Sequence, residues 1–328
     1  MSSPQCQIFT DNAVGLQKCA GLLENEDLVA VPSETVYGLA GNAFSEKAVR
    51  KIFEVKGRPF IDPLITHFKN TESAFAPVKP NLQAEKMADA FWPGPLTLIL
   101  EKGPLIPDLV TAGLDSAAVR VPEQPAFHAL LTRLSFPLAA PSANPFGYVS
   151  PTKAEHVQYT LGSKIAAILD GGPCRLGLES TVVDLRRPKE PRILRPGPLT
   201  LEEIEICLGC KIHGPAKSVD KKAQVSPGQL TQHYSPKTRI VVTPYAQTMP
   251  AASDKTATIV NIKPAQVLSE HVYWLSEDGD LDTIARNIFS LLQKLDRMNY
   301  ELLSVEASPQ SGIGVAINDR LRRASAKC

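Results

Sequence analysis

The chain has 328 residues, 43% hydrophobic and 21% charged, near ordinary globular values, which excludes general disorder and a small disulfide-stapled scaffold and favours two domains. Thirty-five Lys plus Arg against thirty-four Asp plus Glu leave a net charge of +1, so any polyanion site must be local. No stretch reaches the ~18 apolar residues of a membrane span and the amino terminus has no signal-peptide core, so a cytoplasmic protein without membrane contact is expected.

Leu28–Val31 predicts a strand, and the polar run Pro32-Ser33-Glu34-Thr35-Val36-Tyr37-Gly38-Leu39 follows as its exit. Ser45–Val55 predicts a helix capped by Ser45, with Lys56-Gly57-Arg58-Pro59 after it. Further strands are predicted at Leu64–Phe68, Leu96–Leu100, Ala117–Val121, Pro137–Ala140, Ile165–Leu169 and Thr181–Leu185. Helices are predicted at Leu82–Trp92, Ala126–Leu134 and Thr152–Leu161. The expectation is an α/β domain with a twisted mixed sheet over 11–210. Gly, Pro, Lys and Ser then dominate, and 211–238 reads as a linker. After it, Ile240–Val242, Thr258–Ile262 and Val272–Leu275 predict strands, Leu281–Val305 a long amphipathic helix and Val315–Arg323 a closing one. This makes a second, smaller α/β unit over 239–328.

The six cysteines, Cys6, Cys19, Cys174, Cys207, Cys210 and Cys328, read as reduced thiols. Cys207, Cys210 and His213 lack the second pair of a zinc ribbon, so no protein metal site is assigned. Neither a P-loop nor a G-x-G-x-x-G fingerprint is present. The basic concentrations at 47–58, 186–195 and 320–327 read first as solvated faces.

The remaining polar groups gather at strand ends, where open α/β folds place ligands. Lys56 and Arg58 can compensate a helix C-terminus or present a fork plus a point charge to phosphate. His67 is a satisfied core residue or a ligand contact. Arg120, between Val119 and Val121, points to solvent or holds a carboxylate. Ser142-Ala143-Asn144 and Ser180-Thr181 are turn residues or donors to oxyanions.

In order, Pro32–Leu39, Lys56–Leu64 (K-G-R-P-F-I-D-P-L), Ser142–Asn144, Ser180–Asp184 and Leu194–Gly197 resemble the motif series of the YrdC-like threonylcarbamoyl-adenylate synthases. Ser226-Pro227-Gly228 with His233-Tyr234-Ser235-Pro236 is similar to the linker of that family's long form, and Gly312–Arg323 to the end of its small Rossmann-like C-terminal domain. The resemblance implies condensation of L-threonine, bicarbonate or carbon dioxide, and ATP into threonylcarbamoyl-adenylate and pyrophosphate, with Mg²⁺ accompanying ATP. A partner transferase then moves the threonylcarbamoyl group to the tRNA adenosine beside the anticodon.

It further implies that Thr35, His67, Arg120, Ala140 and Ser180 contact L-threonine. Lys56, Arg58, Asp62, Ser116, Ser142, Ser150 and Arg195 would line the ATP site, with Lys56 and Arg58 stabilising the transition state, and Tyr234 would fold over the nucleotide. Phe146 stands where the family often has a serine. A non-catalytic RNA-binding module of the same fold, with weak RNA contact, is the first alternative; carbamoyl transfer within a hydrogenase-maturation protein is the second.

Overall fold

The computed structural model describes residues 6–214, 233–266 and 269–326. The first part of the chain runs β1 (Gln7–Thr10), α1 (Ala13–Glu24), β2 (Val29–Val31), β3 (Gly38–Asn42), α2 (Glu46–Lys56), β4 (Ile65–His67), α3 (Thr71–Phe75), β5 (Val78–Lys79) and α4 (Leu82–Phe91). It continues through β6 (Leu96–Lys102), β7 (Ser116–Arg120), α5 (Pro125–Arg133), β8 (Leu138–Ala139), α6 (Ala154–Leu161), β9 (Ala167–Asp170), β10 (Thr181–Asp184), β11 (Arg192–Arg195) and α7 (Leu201–Leu208). These strands form one mixed sheet in the order β1-β9-β2-β3-β8-β4-β7-β6-β10-β11, with β5 on β6.

Alternation along the central strands divides the sheet into two faces. Ala117 and Val119 of β7, Leu98 and Leu100 of β6 and Val183 of β10 enter the main core. Their neighbours Ala118, Ile99 and Val182 pack with Ile65 and Leu194 in a small cluster on the other face. His67 shares that face with Ile65, and Arg120 is its register partner across the parallel β4–β7 pair. A charged residue is thus carried into the interior by strand periodicity.

The second part contains β12 (Arg239–Thr243), β13 (Thr256–Ile262), β14 (Val272–Ser276), α8 (Leu281–Leu295), β15 (Leu302–Glu306) and α9 (Gly314–Ala324). Its sheet is wholly parallel in the order β12-β15-β13-β14. The mixed α/β architecture expected from the sequence is present. No helix among the described residues is long and apolar enough to cross a membrane.

Several elements differ from expectation. The helix predicted over 281–305 ends at Leu295, and Leu302 and Leu303 belong to β15, the inner strand between β12 and β13. The helix closes at Asp296, and Asn299, with a left-handed φ of 59°, turns the chain into the strand; a strand buried on both faces shows the same unbroken apolar run as a buried helix. The polar run after β2 turns at once into β3, antiparallel to β2 from Gly38. Helix α1 is held by the Asn12 side chain accepting from the Gly15 amide at 2.9 Å; its two glycines mask it in the sequence. Of the linker over 211–238, the part containing Ser226-Pro227-Gly228 lies outside the described residues. At its near end the His213 amide donates to the Pro191 carbonyl at 3.0 Å, extending β11.

α8 and α9 pack on the large domain. Val36, Val149 and Leu178 share one apolar cluster with Ile284, Phe289 and Ile317. At Gly177 a Cβ would stand 2.4 Å from the Arg286 Cα, so only glycine lets that loop approach α8 so closely.

Candidate active site

A cavity of about 50 Å³ opens on the face carrying Ile65, His67 and Arg120, walled also by Thr35, Gly38, Ala140, Ser142, Ser180, Arg195 and the linker residues His233 and Tyr234. At one end, Arg120 is only 4% exposed. Its Nη2 donates to Glu34 Oε1 at 2.6 Å and to Thr35 Oγ1 at 3.1 Å, and its Nε to the Gly94 carbonyl at 3.2 Å. Ser33 and Thr35 share a hydroxyl contact of 2.8 Å. Burial, helped by the Arg120 charge, pushes the His67 imidazole down to about 3, so it is neutral. Its Nδ1 has no hydrogen-bond partner among the described residues. A fixed guanidinium, a neutral imidazole and a hydroxyl suit a carboxylate on a small polar molecule.

At the other end three cations converge, each placed by its local sequence. Gly57 ends α2 in the left-handed conformation, which puts Lys56 and Arg58 at the helix terminus. Lys56 Nζ donates to the Ser142 carbonyl and, at 2.6 Å, to that of Asn144. Arg58 donates to the carbonyls of Asp62 and Pro63 at 3.0 and 2.8 Å and faces the Asp62 carboxylate at 3.0 Å. That last contact has the distance of an ion pair without hydrogen-bond geometry, since neither Asp62 oxygen counts a hydrogen-bond partner among the described residues. Arg195 donates through Nε and Nη2 to the Ser180 carbonyl at 3.1 and 3.0 Å.

Burial and then the Arg58 charge hold the Lys56 ammonium well below its usual range. Asp62 is pushed up by burial, against the pull of Arg58 and Lys56. A buried group of like charges in this condition gains from any anion that joins it.

The linker returns directly into this space. Tyr234 adopts a left-handed φ of 63°, a strained conformation for a bulky residue. Its ring stacks on Phe289 of α8 at 5.6 Å and lies 5.2 Å from the Arg320 guanidinium. Its buried hydroxyl has no hydrogen-bond partner among the described residues. His233 meets Phe146 edge-on at 6.0 Å, so the Phe146 ring packs against the linker.

Of the residues singled out in the sequence, Thr35, Arg58, His67, Arg120, Ala140, Ser142, Ser180, Arg195 and Tyr234 line the cavity. Lys56, Asp62 and Ser150 stand behind that wall, Ser150 donating to Glu179 Oε1. Ser116 does not line the cavity; it opens β7 two positions before Ala118, the partner of Ile65. Its buried hydroxyl has no hydrogen-bond partner among the described residues.

Sequence reasoning missed Glu34, Glu179 and Arg320. Glu34 lies inside the quoted Ser33-Glu34-Thr35 cluster, where a carboxylate beside two hydroxyls was itself the signal. Arg320 was read as part of a solvated basic face, yet it is 1% exposed, as buried as the core; Arg58 and Arg195 likewise leave the faces to which their sequence neighbours belong.

Comparison with known proteins adds an independent line. A family model described as telomere recombination matches residues 21–197, and one described as the threonylcarbamoyl-AMP synthase C-terminal domain matches 199–326. The chain is 40% identical to the threonylcarbamoyl-AMP synthase of Pyrococcus abyssi over 93% of its own length and 92% of the relative's. It is 36% identical to that of Bacillus subtilis, over 97% and 94%. A crystal structure of the P. abyssi protein complexed with L-threonine superposes with a TM-score of 0.86 at 38% identity, covering 98% of both chains. With both models in sequence along one chain, and relatives matched over nearly their whole length, the protein belongs to the two-domain threonylcarbamoyl-AMP synthase family.

Proposed function

We propose that this protein condenses L-threonine, bicarbonate or carbon dioxide, and ATP into threonylcarbamoyl-adenylate and pyrophosphate. The observation that carries the reading is the bipolar cavity: a carboxylate-type anchor at Arg120 at one end and, at the other, Arg58 and Arg195 with the buried Lys56 behind them.

Threonine enters with its carboxylate on Arg120 and its small side chain among Thr35, His67, Ala140 and Ser180. Its neutral amine attacks carbon dioxide and gives up a proton to solvent, or attacks bicarbonate with loss of water, and becomes a carbamate. One carbamate oxygen attacks the α-phosphorus of ATP, the bond from that phosphorus to the bridging oxygen breaks, and pyrophosphate leaves with the bond electrons. Nucleophile and electrophile are both anionic, so repulsion is the barrier. Lys56, Arg58 and Arg195 offset it where charge accumulates on the leaving group, while fixing the threonine turns a bimolecular encounter into a positional one. Asp62, Ser142 and Ser150 complete the nucleotide end, Ser116 would serve it only from outside the cavity's lining, and Tyr234 covers it and excludes water.

Mg²⁺ is expected with ATP. No group of three or more His, Cys, Asp or Glu able to hold a metal occurs among the described residues. Such an ion would be held by phosphate oxygens and water and would neutralise phosphate charge. The product passes, in this reading, to a partner transferase acting on tRNA in the cytoplasm. A purely RNA-binding role draws no support from this site, because Lys56, Arg58 and Arg195 are buried and offer no surface to a backbone.

Pyrophosphate release from ATP and Mg²⁺, with L-threonine and bicarbonate added separately and together, tests the proposal. Release that needs both is expected. Release with neither, or none with both, overturns it.

A further inference from the structure

We infer that the C-terminal domain completes the nucleotide end of the site, with Gln293 of α8 and Arg320 of α9 as positioning residues that hold the 145–150 loop and Glu179 in place. The inference rests on the synthase reading and goes beyond it, because neither residue touches the cavity.

The 145–150 loop follows Ser142-Ala143-Asn144, whose carbonyls hold Lys56. Its inner edge is fixed within the large domain, where Asn144 Nδ2 donates to the Tyr148 carbonyl at 2.7 Å. The outer edge is held from the other domain. Gln293 Nε2 donates to the Ser150 carbonyl at 3.0 Å and to that of Val149 at 3.4 Å, and the Tyr148 hydroxyl donates to Asp296 Oδ2 at 2.7 Å. Gln293 is 1% exposed. A leucine would fill that volume, but it would leave two buried carbonyls without these donors.

Arg320 makes a second route. Its Nε donates to Glu179 Oε2 at 2.8 Å and its Nη2 reaches the Glu179 carbonyl at 3.4 Å. The other carboxylate oxygen of Glu179 accepts from Ser150, so one carboxylate ties α9 to the loop. The next residue, Ser180, supplies the carbonyl that anchors Arg195. Moving Glu179 therefore moves the seat of Arg195, while Tyr234 lies against the Arg320 guanidinium.

The Gln293 route ends on the cationic half of the cavity; the Arg320 route ends there at Arg195 and also passes Ser180, beside the threonine. The Arg120 half is anchored by Gly94, Glu34 and Thr35, all within the large domain. Loss of Gln293 should therefore weaken ATP use and leave threonine use intact, a separation that general destabilisation does not produce, while loss of Arg320 weakens ATP use whether or not Ser180 moves with it.

The test measures KM for ATP and for threonine, from pyrophosphate release, in the full-length wild type, Gln293→Met and Arg320→Lys, with melting curves alongside. The expected result is a KM for ATP raised about tenfold in both variants, the size of one lost buried hydrogen bond, with the threonine KM of Gln293→Met within about twofold. Gln293→Met keeps the volume of the side chain, so it carries the test should Arg320→Lys not fold. An unchanged KM for ATP, or both constants rising together in Gln293→Met, overturns the inference. A wild type that releases no threonine-dependent pyrophosphate overturns the synthase reading instead, and the two failures are told apart by that control.

Discussion

Arg120 and Glu34 are a buried pair, 4% and 3% exposed, joined at 2.6 Å. Removing either charge strands the other, which costs about 3–5 kcal/mol. Arg120→Met and Glu34→Met should each lower stability by that order, and the double variant by clearly less than their sum. Urea denaturation of the four proteins measures this; strict additivity would show that the two side chains are not coupled. Arg58 is different, because its partner Asp62 is already pushed towards the neutral form by burial and can take up a proton when the guanidinium is gone. Arg58→Ala should therefore fold and lose more than ~100-fold in adenylate formation, the effect of deleting one transition-state donor; an unaffected rate would remove it from the phosphate end.

Protonation supplies a further residue-scale prediction. His67 and His156 are pushed down by burial to about 3 and about 4, and His233 falls well below its usual value for the same reason, with Arg58 adding to it. In the unfolded chain each titrates near ~6.5. Below that pH the unfolded chain binds protons that the folded protein refuses. The stability contributed by these depressed groups is fully present above about pH 6.5 and falls towards pH 4, by up to about 1.4 kcal/mol per pH unit for each ring. Urea midpoints compared at about pH 7.5 and about pH 5 check this, and equal midpoints would contradict it.

At the scale of elements, the interface between the domains depends on a close approach of backbone to backbone. Gly177 has φ of 77°, and an added Cβ would lie 2.6 Å from the Ala285 carbonyl oxygen as well as 2.4 Å from the Arg286 Cα. Neither atom belongs to a flexible side chain. Gly177→Ala should combine strain of about 1–3 kcal/mol with a forced retreat of α8. A melting temperature equal to wild type would mean that α8 is free to shift. The same elements show where sequence reading stops. Helix α2 was legible because Ser45, an apolar stripe and Gly57 agree, whereas β15 was not, because an apolar run carries no period once both faces are buried. β3 was hidden for another reason: Gly38 and Gly41 have poor strand propensity, and only pairing with β2 and β8 makes them a strand.

For the whole molecule, the lining of the cavity could be reached from motifs in order, but its outer support could not. Glu179, Gln293 and Arg320 lie far apart in sequence, and no local pattern tells a buried arginine from its exposed neighbour Arg322. That support has a thermodynamic consequence. Val36, Val149 and Leu178 of the large domain are part of the same apolar cluster as the C-terminal helices, and the buried charge of Arg320 is balanced by Glu179 across the boundary. Unfolding the smaller domain alone would expose the apolar surface on both sides and deprive the buried Glu179 of its ion-pair partner, a partly unfolded state disfavoured by several interactions at once. The two sheets should therefore melt together, in a single transition whose calorimetric and van't Hoff enthalpies agree. Two resolved transitions would instead show that the domains are coupled more weakly than their shared core implies, and binding of ATP should then shift only the one that carries the cavity.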